Sequence, residues 1–274
     1  MTSGKGRRHR ILGLTALLVS ALLALLPGVP ANAVAAGRAA SPRVTAVQPP
    51  GFLEVRDDGW LWYYERTDRS FTGHRIGGGW DRTSLVALLG TDGSFVEVKG
   101  DALRLWQVDL TGGANTLTFL GSVMGGWQNA RLIAGVGDAT YDGIPDFVEV
   151  DNRGNLVVWR RDGNGFAYGG IEGYGWQNAR QIAGVAVKQF VEIKTNGELW
   201  SWRLSDHNPT EPWWATGGFT MGGWNNVRLL GPDGLTDSFV SVRFDTQLVR
   251  WTSSANTFRP SYFDRGWQNA RLLG

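Results

Sequence analysis

Cysteine is absent, so disulfide scaffolds, zinc-thiolate modules and thiol enzymes are excluded at once. Histidine is scarce: three occur, and beyond the first 33 residues they are His74 and His207. No H-E-x-x-H pair and no G-x-S-x-G elbow is present, which removes the common zinc-protease and serine-hydrolase arrangements. A field of one charge sign is missing too. Of 27 cations, four (Lys5, Arg7, Arg8, Arg10) lie in the first 33 residues, leaving 23 against 25 acids. A dispersed and nearly neutral balance gives nothing to steer nucleic acid, so no nucleic-acid partner is expected. What the sequence has in quantity is glycine, 39 residues, and tryptophan, 14 residues.

The N-terminus reads as an address. Residues 5 to 10 are basic, Ile11 to Leu26 are uncharged and apolar, and Pro27, Gly28 and Pro30 precede Ala31-Asn32-Ala33. This is the pattern of a secretory signal peptide over residues 1–33, cleaved before Val34. The apolar run is short for a spanning helix, which needs ~20 residues. The expected location is therefore secreted and extracellular, with no membrane insertion after signal removal. Residues 34–50, rich in Ala, Pro and small polar side chains, cannot bury enough surface to order themselves and read as a disordered linker. The folded domain is expected over residues 51–274.

That domain is a fivefold repeat. Gly-Trp recurs at Gly79-Trp80, Gly126-Trp127, Gly175-Trp176, Gly223-Trp224 and Gly266-Trp267, and four copies continue almost identically, as in GWQNARLIAG from Gly126. An alternating strand headed by Phe52, Phe95, Phe147, Phe190 and Phe239 follows, then a second from Leu61, Leu103, Leu156, Leu199 and Leu248 across a Gly, Asn or Asp turn. A weaker further strand, such as Gly165 to Tyr168, leads to the next Gly-Trp. Short antiparallel strands repeated five times without helical periodicity predict an all-β, five-bladed β-propeller of four-stranded antiparallel blades. The chain begins at the second strand of a unit and stops after the first. The C-terminal strand, Ala270 to Leu273, is therefore expected to pair beside Phe52 to Val55 and close the N-terminal blade.

The repeated residues suggest roles. Trp106, Trp159, Trp202 and Trp251, with Tyr64 in register, are expected in the core. Glu54, Glu97, Glu149 and Glu192 fall on a covered face, and Arg131, Arg180, Arg228 and Arg271 recur on the preceding strand. Pairs within a blade follow from the need to partner a buried carboxylate: Arg131 with Glu149, Arg180 with Glu192, and Arg271 with Glu54 across the closure. Ser84 and Ser241 interrupt the pattern.

The residues Trp80, Trp127, Gln128, Asn129, Trp176, Gln177, Asn178, Trp224, Asn225, Asn226, Trp267, Gln268 and Asn269 have two readings. In one, the rings pack at blade junctions and the amides bond turn backbone. In the other, rings stack on sugar C–H faces while amides bond hydroxyls. Asp138, Thr140, Asp142 and Asp146 stand at positions 1, 3, 5 and 9 of a loop with Gly143 at position 6, a spacing of oxygens that suits Ca²⁺ or, equally, an Asp-Gly turn. Trp60, Trp213 and Trp214 lie outside the register and read either as ligand contacts or as local packing.

The segment from Gly135, GVGDATYDGIPDFVEV, followed by GNLVVW from Gly154, resembles the FG-GAP (VCBS-like) repeats of secreted bacterial propellers, and that resemblance implies calcium at Asp138, Thr140, Asp142 and Asp146. Five Trp-rich blades of this length are similar to the tachylectin-like five-bladed lectins, which implies sugar binding between blades. The resulting expectation is a secreted, non-catalytic, lectin-like propeller with repeated weak sites at blade junctions for glycans or a cell-surface polysaccharide. A calcium-stabilised extracellular adhesion or protein-interaction scaffold is the alternative. A glycoside hydrolase stands third, because the regular acids are repeated ones and nothing gathers Glu65, Glu172 and Glu211 into one centre.

Overall fold

The computed structural model describes residues 47–111, 114–205, 215–255 and 257–274. The expected signal peptide, residues 34–46 of the expected linker, and Trp213 and Trp214 lie outside them. Strands β1 (Gly51–Arg56), β2 (Leu61–Arg66) and β3 (Phe71–Gly77) open the first blade. The second comprises β4 (Thr83–Leu88), β5 (Ser94–Lys99), β6 (Ala102–Asp109) and β7 (Thr116–Met124); the third β8 (Ala130–Gly137), β9 (Asp146–Asp151), β10 (Asn155–Asp162) and β11 (Gly165–Tyr174). The fourth holds β12 (Ala179–Ala186), β13 (Gln189–Lys194), β14 (Leu199–Leu204) and β15 (Ala215–Met221); the fifth β16 (Val227–Pro232), β17 (Ser238–Arg243), β18 (Leu248–Ser254) and β19 (Thr257–Asp264). The last strand, β20 (Ala270–Leu273), pairs antiparallel with β1 and becomes the fourth strand of the first blade.

This is an all-β five-bladed propeller closed by its C-terminal strand. The closure is bonded on both sides of Leu53: its N–H donates to the Gly274 carbonyl at 2.6 Å and its carbonyl accepts from the Gly274 N–H at 3.0 Å. One difference from the sequence expectation concerns the linker. From Gln48 onward it is part of the fold, because Gln48 is buried, its backbone N–H donates to the Thr91 carbonyl, and its side-chain oxygen accepts from the Leu110 N–H.

Strand alternation gives each blade two apolar faces, and the core is distributed as five clusters, one at each seam between blades. The seam of the third and fourth blades, for example, gathers Val148, Val150, Leu156 and Val158 with Trp176, Ala179, Phe190 and Leu204. Around the axis the blades approach closely at the final glycine of each near-copy. A Cβ on Gly135 would sit 1.9 Å from the Leu88 carbonyl oxygen, and one on Gly184 2.0 Å from that of Gly135. The tight approach leaves an axial cavity of about 10 Å³ lined by residues such as Val86, Ile133, Ile182 and Leu230, room for no more than a water molecule.

Candidate functional site

Each blade is entered through the same turn. Trp127–Asn129, Trp176–Asn178 and Trp224–Asn226 form single 3-10 turns, each preceded by a glycine with φ of 89 or 90°. Gly79 and Gly266 share that left-handed conformation. A Cβ at any of the five would meet nothing within 4 Å, so backbone conformation and not space demands glycine. The tryptophan N–H then donates back to a hairpin-turn carbonyl of the preceding blade, Trp176 to Gly154 and Trp224 to Gly197, both at 3.0 Å.

The rings of Trp80, Trp127, Trp176, Trp224 and Trp267 are only 3–5% exposed. They pack on the aromatic residues of the blade they enter, as Trp176 does on Trp202 at 4.6 Å between centroids and on Phe190 at 5.7 Å. This corrects the expectation that they offer a stacking face to a sugar: the face is covered by the blade. The junction-packing reading describes them.

The predicted Arg–Glu pairs within blades are also corrected. The carboxylates bond the tryptophans of their own blade: Trp106 Nε1 donates to Glu97 at 3.1 Å, Trp159 Nε1 to Glu149 at 2.7 Å and Trp202 Nε1 to Glu192 at 2.9 Å. Where Ser241 replaces glutamate, its hydroxyl accepts from Trp251 Nε1 at 2.9 Å. Where Tyr64 replaces tryptophan, Glu54 accepts instead from Arg56 Nε at 2.8 Å. Burial pushes the carboxyls of Glu149 and Glu192 above the ordinary glutamate range.

The arginines reach forward into the next blade and clamp its entry turn. Arg180 donates to the carbonyls of Trp224 at 2.6 Å and Val227 at 3.1 Å, and Arg271 to those of Trp80 at 2.6 Å and Thr83 at 2.7 Å. Arg131 holds the carbonyls of Trp176 and Ala179, and Arg228 those of Trp267 and Ala270, in the same way. A planar guanidinium fork suits two neighbouring main-chain carbonyls, the first of which also accepts the N–H that closes the turn, as Trp224 does from Val227. The seam between the second and third blades lacks the clamp, because Ser84 stands at that position and bonds the Val98 carbonyl of its own blade.

The amide pairs of these turns face solvent: Gln128, Asn129, Gln177, Asn178, Asn225, Asn226, Gln268 and Asn269 are all exposed. The turn uses two of these side chains. Asn129 accepts from Asn152 Nδ2 at 2.9 Å, and Gln177 Nε2 donates to the Arg153 carbonyl at 2.9 Å. The other six make no side-chain hydrogen bond among the described residues. One of them, Asn226, is tied through its backbone to an exposed aromatic residue that the repeat did not announce: its carbonyl accepts the Phe244 N–H at 2.9 Å, and Phe244 is 64% exposed. The signal was a departure from the pattern, since Asp57, Gly100, Asn152 and Thr195 stand at the equivalent positions.

The carboxylates of the acidic loop are engaged by the backbone of their own turn. Both Asp138 oxygens accept loop N–H groups, from Asp142 at 3.0 Å and Gly143 at 2.8 Å, and Asp142 accepts that of Ile144 at 2.9 Å. Asp146 is fully buried and accepts the N–H groups of Ala139, Thr140 and Arg161. Among the described residues no three acidic or histidine side chains converge as a metal-holding group. The spacing serves an Asp-Gly turn. Trp60, outside the register, is half-buried with the Arg75 guanidinium 3.2 Å from its ring centroid.

No known family profile matches the chain, and no curated protein sequence is similar to it. Among solved structures, it is similar to a protein from Lactobacillus plantarum, with a TM-score of 0.42 and 10% identity over 81% of this chain and 70% of that one. It is also similar to the N-terminal domain of Nup159, with a TM-score of 0.36 and 11% identity over 68% of this chain. The match spans 45% of that domain's length.

Proposed function

We propose that this protein is a secreted, non-catalytic carbohydrate-binding propeller whose sites are the exposed amide turns of one rim. The observation that carries the reading is that six of the eight repeated amides are exposed and unused by the fold, while the turns presenting them are fixed by buried tryptophans and, at all but the Trp127 turn, by arginine clamps. Amides donate and accept at once, as hydroxyl recognition requires, and preorganised donors bind with less ordering cost. Asn225, Asn226 and the Phe244 ring form the most complete such site, because a sugar C–H face can stack on the exposed ring. Several weak sites on one rim add by avidity on a polysaccharide surface. The axial cavity and the buried, hydrogen-bonded glutamates support a binding role over glycoside hydrolysis.

A glycan array tests the reading. Binding to at least one polysaccharide class is expected, and Asn226→Ala together with Phe244→Ala should weaken it by about tenfold or more without lowering the melting temperature. Silence of a folded protein across the array turns the assignment to the protein-interaction scaffold.

A further inference from the structure

We propose that a second site, at the end of the ring opposite the amide turns, binds a small oxyanion between the first and fifth blades. A cleft of about 320 Å³ opens there, lined by Pro50, Arg66, Thr67, Asp68 and Arg250. That volume lies in the range of small-ligand sites, ~300–1,000 Å³.

The site is built around one buried carboxylate. Asp233, on the turn after β16, is fully buried. Its Oδ2 accepts from Arg66 Nη1 at 3.0 Å, from Arg250 Nε and from the Ser238 hydroxyl at 2.7 Å. Arg66 Nη1 also donates to the Thr236 hydroxyl and Arg250 Nη2 to Ser238 at 3.3 Å. One carboxylate therefore orients two guanidiniums; with Asp68 counted the charged groups of the cleft balance, so the preoriented donors and not a net charge recognise the anion. Arg66 Nε and Nη2 and Arg250 Nη1 make no hydrogen bond among the described residues, and both side chains remain 21% exposed. Preoriented guanidinium donors facing a polar cleft match carboxylate or phosphate oxygens.

The repeat makes the feature specific. At the seam of the second and third blades a single arginine, Arg161, meets Asp92 at 3.4 Å in the equivalent relation. The extra cation, Arg250, has Tyr63, Leu105, Val158 and Ser201 as its counterparts, so a cationic pair is peculiar to the closing seam. Exposed Asp68 on the cleft lining makes no ion pair with either arginine and opposes an incoming anion.

Calorimetric titration at constant ionic strength, with inorganic phosphate and glucuronate as the two probes and glucose as the neutral control, separates a phosphate source from an acidic-sugar source. Saturable binding of at least one anion is expected. Arg250→Gln should weaken it by about tenfold or more, and Asp68→Asn should tighten it several-fold by removing a like charge. Should Arg250→Gln fail to fold, Asp68→Asn decides alone. Absence of saturable binding by both anions, or binding that Asp68→Asn leaves unchanged, overturns the proposal. Neutral glycans held at the amide rim would respond to neither substitution, so the two sites fail independently.

Discussion

Glu172 is the residue whose chemistry departs furthest from its surroundings. It occupies the bulge of β11 between the pairs Leu156–Gly173 and Val157–Ile171, is 1% exposed, and neither carboxylate oxygen has a hydrogen-bond partner. Burial pushes its pKa up to about 8, with the Lys188 charge pulling the other way. An acid whose folded pKa exceeds its unfolded value favours folding when protonated. The stability it contributes is thus complete below about pH 4.5 and is lost as pH rises toward 8. Burial raises Asp146 to about 6, giving a loss of the same sign at lower pH. Glu172→Gln removes the first loss and leaves the second. The variant should therefore match the wild type near pH 4.5 and exceed it at pH 8.5, by on the order of 3 kcal/mol, in denaturant unfolding at the two pH values. A constant difference between the curves would show that the carboxyl does not titrate in that window. The sequence flagged Glu172 as an acid outside the repeat; its burial depends on the bulge, which alternation alone does not reveal.

At the scale of the element, each blade entry combines three contributions. Glycine supplies the left-handed step, tryptophan fills the seam, and the arginine of the neighbouring blade takes the two carbonyls. Arg180→Ala removes two charge-assisted hydrogen bonds to main-chain carbonyls in a half-buried place and should cost about 1–3 kcal/mol of unfolding free energy. Ser84→Arg offers a reciprocal test, because it adds the missing clamp toward Trp127 and Ala130 and should raise stability by up to about 1 kcal/mol. A destabilised Ser84→Arg would mean that this seam is shaped differently from the other four. The strands and tryptophans were legible because alternation and spacing report which face is covered. The clamp was not, because its acceptors are main-chain carbonyls, which no residue identity encodes. The mistaken intra-blade ion pairs overlooked nearer partners: an indole N–H for Glu149 and Glu192, and Arg56 for Glu54. The acidic loop shows the limit from the other side, since oxygens spaced for a cation also suit the N–H groups of a tight turn.

For the whole molecule, the question is what holds five similar sheets in a ring. Each seam carries one apolar cluster, and at the closing seam Phe52, Tyr64, Val240, Val242, Leu248 and Trp267 pack together with Ala270 and Leu273 of β20. The same strand supplies Arg271, whose clamp on Trp80 and Thr83 ties the last residues of the chain to the start of the second blade. Removing everything after Asp264 therefore deletes the fourth strand of one blade, a buried tryptophan and a clamp together, and exposes the hydrogen-bonding edge of β1. An open β edge beside apolar side chains favours association. Truncation after Asp264 should abolish cooperative melting and send the protein to large species in size-exclusion chromatography. Arg271→Ala alone should remain monodisperse with a melting temperature a few degrees lower, on the order of 2–4 °C per kcal/mol lost for a domain of this size. The contrast between the two variants separates the strand's contribution from that of the clamp. A truncated chain that melts cooperatively near the wild-type temperature would place the stability of the ring in its four uninterrupted blades and not in its closure.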